Sequence, residues 1–121
     1  MIYGIGIDLI EVPRVARLLD RKIRFKERIY TDREREYCDR KRHGAQNYAA
    51  RFAAKEAFFK AVSARGASGV PLKEIEVVVG AGGAPALEVH GKAALALGER
   101  KAALSISHDR DYAVAVVMTT L

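Results

Sequence analysis

The sequence lacks the features that mark several classes of protein. It contains a single cysteine, Cys38, which excludes an intrachain disulfide and a zinc site built from several cysteines. The charged neighbours of Cys38 predict an exposed thiol without a role. No apolar run approaches the roughly 20 residues that a membrane-spanning helix needs. The N-terminal stretch carries Asp8 and Glu11 and no basic leader, so we expect a cytoplasmic protein with neither a signal peptide nor a membrane partner.

Length and composition are those of an ordinary globular domain. The chain has 121 residues, of which 50% are hydrophobic and 30% are charged, and we find no repeat or low-complexity tract. Because this length is typical of one domain, we expect a single domain over residues 1–121.

Positive charge is concentrated in one part of the chain. The net charge is +6, and the segment from Arg14 to Arg42, with twice as many basic as acidic residues, accounts for all of it. Such a basic field attracts an acidic partner, and nucleic acid, an anionic membrane and an acidic protein all qualify. Within the segment, arginines recur every three or four residues and therefore share one side of a predicted helix and its extension. They are Arg14, Arg17, Arg21 and Arg24.

The order of predicted elements indicates an α+β fold. Residues 2–10 have the pattern of a strand, and Thr31 with Glu34 forms a capping box that begins a helix. A long central helix is predicted at about residues 46–64, because small side chains recur in it every four positions and allow close packing. A glycine-rich loop follows, and the rest of the chain is mainly strands, so we expect an antiparallel sheet packed against the long helix. The small residues are Ala49, Ala53, Ala57 and Ala61.

The opening stretch GIGIDLIEV places an acid in an apolar strand. Gly4 and Gly6 begin like a dinucleotide-binding fingerprint, but the third glycine and the helix that it requires are absent. What remains is Asp8, whose carboxylate is costly in this setting without a cation or hydrogen-bond donors. Asp8 is therefore either a structural acid at the end of the strand or a metal ligand or acid at a functional site.

The stretch RFAAKEAFFKA of the long helix holds a second group of charged residues. Glu56 and Lys60 share one face with phenylalanines, while Arg51 and Lys55 share a neighbouring face. A surface salt bridge explains Glu56 and Lys60 equally simply, although such bridges rarely sit beside phenylalanines. A third candidate, His108, ends a predicted strand, where a histidine is more often a cap than a catalyst.

Taken together, these motifs resemble holo-(acyl-carrier-protein) synthase, the short, trimeric family of 4′-phosphopantetheinyl transferases. The matching stretches run in order along nearly the whole chain, as GIGIDLIEVPRV, RFAAKEAFFKA, EIEV with GGAPALEVHG, and LSISHDRDYAVAVV. Two departures fall where the family binds adenosine. The loop SARGASGV is longer than usual, and Ala84 stands where relatives often have a polar or basic residue.

The resemblance implies a metal-assisted transfer. Asp8 and Glu56 would coordinate a magnesium ion that also grips the pyrophosphate of coenzyme A, in keeping with the preference of Mg²⁺ for oxygen ligands. A serine of apo-acyl carrier protein would attack the β-phosphate of coenzyme A and release adenosine 3′,5′-bisphosphate, for fatty-acid biosynthesis. Lys60 would neutralise or protonate the leaving phosphate. The base could be Glu56 or a water molecule on the metal, and the sequence leaves both open.

The resemblance also implies binding surfaces. The family is a homotrimer with active sites at the subunit interfaces, and the apolar last strand of this chain fits either a subunit interface or the centre of a sheet. The basic helix would dock the acidic carrier protein through Arg14, Arg17, Arg21 and Arg24. The expected contacts to the phosphates of coenzyme A are Arg51, Lys55, Lys60 and His108.

The main alternative is a basic module that binds nucleic acid without catalysis. It explains the arginine face, but it gives no use for Asp8 and Glu56, and the basic segment has few aromatic residues for base stacking.

Overall fold

The computed structural model describes residues 1–63 and 68–121. In chain order the elements are β1 (Ile2–Glu11), α1 (Val12–Arg21), α2 (Phe25–Ile29), α3 (Asp32–Asp39), α4 (Gly44–Ser63), β2 (Ile75–Val79), β3 (Pro85–Val89), α5 (Gly91–Leu97), β4 (Lys101–His108) and β5 (Tyr112–Thr120). Short 3₁₀ turns lie before and after β2. The loop predicted after the long helix falls partly on residues 64–67, outside the described residues.

The strands form two antiparallel sheets. The larger one has the order β1-β5-β4, so β5 is its central strand, and the smaller one is a hairpin of β2 and β3. Helix α4 packs on one face of the larger sheet, against β1 and β5. These elements confirm the predicted α+β class, with an antiparallel sheet packed against a long helix.

The close contact between β1 and α4 depends on two glycines. A Cβ atom built on Gly4 or Gly6 would overlap the backbone carbonyl oxygens of Ala61 and Ala57, respectively. The predicted alanine ridge meets the glycines from the helix side, since all four of its members are buried: Ala49, Ala53, Ala57 and Ala61. Small residues on both partners therefore bring the two backbones together.

Two details of the basic segment differ from the sequence prediction. Helix α1 ends at Arg21, and Arg24 lies beyond it, directly before α2, so the four arginines do not share one continuous helix. Cys38 is buried rather than exposed, because it belongs to the side of α3 that faces the core. Burial raises the pKa of its thiol to about 12, so the thiol stays protonated and unreactive. The predicted capping box of Thr31 and Glu34 is confirmed.

The outer face of the larger sheet is apolar and open in the single chain. Ile5, Ile7 and Leu9 of β1 point away from α4 and are 57%, 57% and 64% exposed. An apolar strip of this kind is typical of a surface that another protein covers. Within the described residues, the structure has no helix that combines the length and the apolar character needed to cross a membrane.

Candidate active site between strand β1 and helix α4

Asp8 and Lys60 form an ion pair between β1 and α4. Lys60 Nζ lies 3.1 Å from Asp8 Oδ1 and donates a second hydrogen bond, of 3.0 Å, to the carbonyl oxygen of Ile7. The side chain of Asp8 is 17% exposed and that of Lys60 is 52% exposed. The ammonium group is therefore within reach of a ligand from solvent.

Glu56 lies one helical turn before Lys60, and its carboxyl group is influenced by the charges of both Asp8 and Lys60. Burial raises the pKa of the Glu56 carboxyl above its ordinary value, the negative charge of Asp8 raises it further, and Lys60 acts in the opposite direction. Two carboxylates thus compete for one ammonium group. The structure brings together the three residues that the sequence proposed as a catalytic group, and their charge favours a cation.

The local sequence explains this convergence. Asp8 follows Gly6 by two residues, and side chains two apart in a strand point to the same face, so Asp8 faces α4. Since Gly6 has no side chain, β1 approaches α4 closely enough for the short Asp8 side chain to reach Lys60. The glycine pair thus serves the carboxylate rather than a nucleotide loop.

Arg51 lies on another side of α4 in an unusual environment. Its side chain is only 6% exposed, and its guanidinium carbon stands 4.1 Å from the centre of the Tyr37 ring. Its Nε is buried and has no hydrogen-bond partner among the described residues. An unpaired buried donor is costly, so this site favours a ligand that brings an acceptor. No pattern in the sequence indicated that Tyr37 would stack on Arg51.

Arg51 and His108 line the same cleft. This cleft has a volume of about 190 Å³, and its other walls include Asn47 of α4, Gly83 of the turn before β3 and Pro85 at the start of β3. Basic side chains and a glycine-containing turn are suited to an anionic ligand. The structure therefore brings together two of the predicted phosphate contacts.

These two groups lie apart within one chain. Lys60 and Arg51 are nine positions apart on α4, which places them roughly 180° apart around the helix axis. In the sheet, Asp8 and Ile106 flank Ala115 on opposite sides, so β1 and β4 are about 10 Å apart. We call Asp8, Glu56 and Lys60 the acidic group, and Arg51 with His108 the basic group.

Lys55 does not belong to either group, which corrects the expected phosphate contact. Its side chain is fully buried, and its Nζ contacts Glu34 Oε1 at 2.7 Å. The carbonyl oxygens of Ile75 and Leu72 accept at 2.7 Å and 3.1 Å. Burial lowers the pKa of Lys55, and Glu34 opposes this effect by its charge and hydrogen bond. Because all three ammonium donors are used inside the protein, Lys55 presents none to a ligand.

The four predicted docking arginines are exposed, and two of them border an apolar surface. Arg21 and Arg24 line a cleft of about 640 Å³ together with Ile23 and Phe25. Ile23 is 89% exposed, an unusual setting for a large apolar side chain. Ile23 is not among the residues predicted from the sequence, although an isoleucine between basic residues is a signal of such a surface.

A second cluster of possible metal ligands is already engaged by neighbouring side chains. Glu76, Glu88 and His90 on the β2–β3 hairpin have ligand atoms within 4.8 Å of one another. Arg33 lies 3.4 Å from Glu88 and 3.7 Å from Glu76, and Thr31 donates to Glu76. We therefore regard this cluster as part of the contact between α3 and the hairpin.

Comparison with known proteins identifies the class to which this fold and site belong. A family model described as the 4′-phosphopantetheinyl transferase superfamily matches residues 4–117. The chain belongs to that superfamily.

Its relatives narrow the class. The chain is 48% identical to a holo-(acyl-carrier-protein) synthase of Koribacter versatilis, over 98% of each chain. It resembles the solved complex of this enzyme with coenzyme A from Chronobacterium ammoniagenes, with 35% identity, a TM-score of 0.83 and coverage of 96% and 95% of the two chains. The synthase of Bacillus anthracis, solved in complex with CoA (3′,5′-ADP), gives 38% identity, a TM-score of 0.80 and coverage of 98% and 96%. These matches confirm the family resemblance seen in the motifs.

Proposed function

We propose that this chain is a phosphopantetheinyl transferase that converts apo-acyl carrier protein to its holo form for fatty-acid biosynthesis in the cytoplasm. The 4′-phosphopantetheine group would come from coenzyme A. The observation that carries this proposal is the convergence of Asp8, Glu56 and Lys60 in a chain whose relatives include synthases solved with coenzyme A. A nucleic-acid-binding role gives these three residues no task.

The acidic group fits a magnesium ion. Asp8 and Glu56 offer carboxylate oxygens, which Mg²⁺ prefers, and the pKa of Glu56 is raised first by burial and then by the negative charge of Asp8. When bound, the ion would neutralise charge on the phosphates of coenzyme A. Asp8 and Glu56 would be the two protein ligands, with substrate oxygens and water completing the shell.

The reaction moves one phosphoryl group between two oxygens. The serine oxygen of the carrier protein forms a bond to the β-phosphorus of coenzyme A, and the bond from that phosphorus to the bridging oxygen breaks. The leaving group is adenosine 3′,5′-bisphosphate, and the serine proton passes to a base. Lys60, which is half exposed, is placed to donate to the leaving phosphate. Glu56 and a water molecule of the site are the two candidates for this base.

The basic group of a second chain would bind the phosphates of the coenzyme A held at the acidic group of the first chain. Arg51 has a buried Nε that needs an acceptor, and Arg51 and His108 line one cleft. Because α4 separates this cleft from Asp8 and Lys60, a single chain offers the two groups in different directions. We therefore propose a homotrimer in which one protomer supplies the acidic group and its neighbour the basic group. The open apolar face of β1 supports such an assembly.

The carrier protein would dock beside the acidic group. Acyl carrier proteins are acidic, and Arg14 and Arg17 of α1 and the cleft around Ile23 offer a basic rim with an apolar floor. Arg21 and Arg24 line that cleft, so the change of direction between α1 and α2 places arginines around the apolar surface rather than along one helix.

The activity is tested by intact mass. Purified protein with coenzyme A, Mg²⁺ and apo-acyl carrier protein should add one phosphopantetheinyl group to the carrier. Asp8→Asn should abolish the addition, whereas Glu99→Gln, which removes an exposed acid elsewhere, should not. An unmodified carrier in the presence of the unaltered chain would contradict the proposed function.

The two-chain site is tested by mixing inactive variants. Glu56→Gln and Arg51→Ala chains, allowed to exchange subunits, should recover about a quarter of wild-type activity, because that share of randomly formed interfaces receives both intact groups. Mixing Glu56→Gln with Asp8→Asn chains should recover none, because both changes affect the acidic group. Equal recovery in both mixtures, or in neither, would contradict the arrangement.

A further inference from the structure

Lys60 occupies the position of a cation in the acidic group. Its Nζ binds Asp8 Oδ1 and the carbonyl oxygen of Ile7, so two of its three donors are directed at β1. In this state the ammonium group compensates the charge of Asp8. A bound divalent ion would compensate the same charge, so the ammonium group and the metal ion would compete for the Asp8 carboxylate.

We propose that Lys60 is an internal counter-ion that holds Asp8 in the metal-free chain and is released to the phosphates of the substrate when a divalent cation binds. The inference rests on the proposed function, since it concerns the same site. It gives Lys60 a positioning role before any chemical step.

Electrostatics and coordination geometry support this competition. Mg²⁺ binds carboxylate oxygens directly and requires a nearly octahedral shell, so it needs free space around Asp8. A second cation on the same carboxylate is repelled, and the partial burial of Asp8 reduces the screening of that repulsion by water. The Lys60 side chain is half exposed and flexible, so it can leave Asp8 without disturbing the fold.

The competition links the metal to the substrate. An anionic ligand that attracts Lys60 removes it from Asp8 and thereby strengthens metal binding, and by reciprocity the metal strengthens binding of the anion. Metal and substrate should therefore bind cooperatively, even though each also binds alone.

Manganese binding without substrate tests the inference. Mn²⁺ is a paramagnetic divalent probe with similar oxygen ligands, and electron paramagnetic resonance measures its free concentration during a titration. Lys60→Met keeps the length of the side chain and removes its charge, so it should bind Mn²⁺ about tenfold more tightly than the unaltered chain. Lys92→Met removes an exposed lysine on α5 and should leave the affinity unchanged, which controls for net charge.

The outcomes separate the inference from the proposed function. Equal or weaker Mn²⁺ binding by Lys60→Met overturns the counter-ion role, and the metal site stands if Asp8→Asn and Glu56→Gln still weaken binding. If Asp8→Asn and Glu56→Gln bind Mn²⁺ as the unaltered chain does, the metal site fails and the inference with it. The absence of measurable binding in every variant likewise contradicts both.

Discussion

Two lysines of α4 each pair with a carboxylate from another element, one pair in the core and the other at the surface. Lys55 and Glu34 are fully buried and 2.7 Å apart, and every ammonium donor has a protein acceptor. Lys60 and Asp8 are 3.1 Å apart, and half of the Lys60 side chain is exposed. The first pair ties α3, α4 and β2 together, while the second leaves its charges within reach of a ligand.

The difference shows why residue type does not distinguish a structural charge from a functional one. The two lysines are five positions apart, which turns them roughly 140° around the helix, so one faces the core and the other faces the edge of β1. A buried pair is committed because breaking it leaves an uncompensated charge. An exposed pair gains little from its own contact and can exchange partners.

The largest expected effect is on catalysis, through the exposed pair. Lys60→Met should lower kcat about 10³-fold, because the leaving phosphate loses its cationic donor. The free energy of unfolding should change by less than about 1 kcal/mol, since an exposed ion pair contributes little to stability. Steady-state kinetics and urea unfolding measure the two quantities.

Lys92→Met serves as the matched control for this variant. It removes an equal charge from an exposed position on α5 and should change neither quantity. A loss of several kcal/mol of stability in Lys60→Met, with kcat preserved in the folded fraction, would show that the exposed pair is structural after all.

The next effect is on stability, through the buried pair. Lys55→Met should lower the free energy of unfolding by about 3 kcal/mol, because Glu34 would remain buried without its cation. The double variant Glu34→Gln/Lys55→Met should lose less, since it removes both charges. Urea unfolding of the three proteins measures this difference. A stable Lys55→Met with weakened binding of coenzyme A would restore Lys55 as a ligand contact.

Much of the fold was predictable because local patterns determine it. The alanine ridge predicted the central helix, and the capping box predicted the start of α3. These features act over one or two turns of chain. The end of α1 at Arg21 was missed, since helical spacing of arginines continues past the point where the backbone turns.

The site was predictable only in part, because its environment comes from distant segments. Helical spacing placed Glu56 and Lys60 on one face. Nothing near Lys55 in the sequence indicated that this lysine would be buried and paired with Glu34. The separation of Arg51 from Lys60 follows from helix geometry. The inference that the site uses two chains also depends on the distance between β1 and β4 in the sheet, which the sequence does not show.

The smallest expected effect compares the carboxylates of the two regions. The folded pKa of Glu56 is raised, so its charge destabilises the metal-free chain at neutral pH, and this cost disappears as the pH falls through the raised pKa towards the ordinary value of 4.5. Glu56→Gln should therefore raise Tm by about 2 °C at about pH 7.5 with a chelator present, a small value because the site is partly solvated. The gain should vanish near pH 4.5.

Glu34→Gln provides the contrast that gives this measurement its meaning. Glu34 is paired with Lys55 and accepts from the backbone N–H of Val77, so its neutral replacement leaves a buried ammonium without a counter-charge. Thermal unfolding should therefore show a lower Tm for Glu34→Gln and a higher Tm for Glu56→Gln under the same conditions. A carboxylate that serves to bind a ligand should not stabilise the ligand-free fold. A lower Tm for both variants would therefore mean that Glu56 stabilises the fold as Glu34 does.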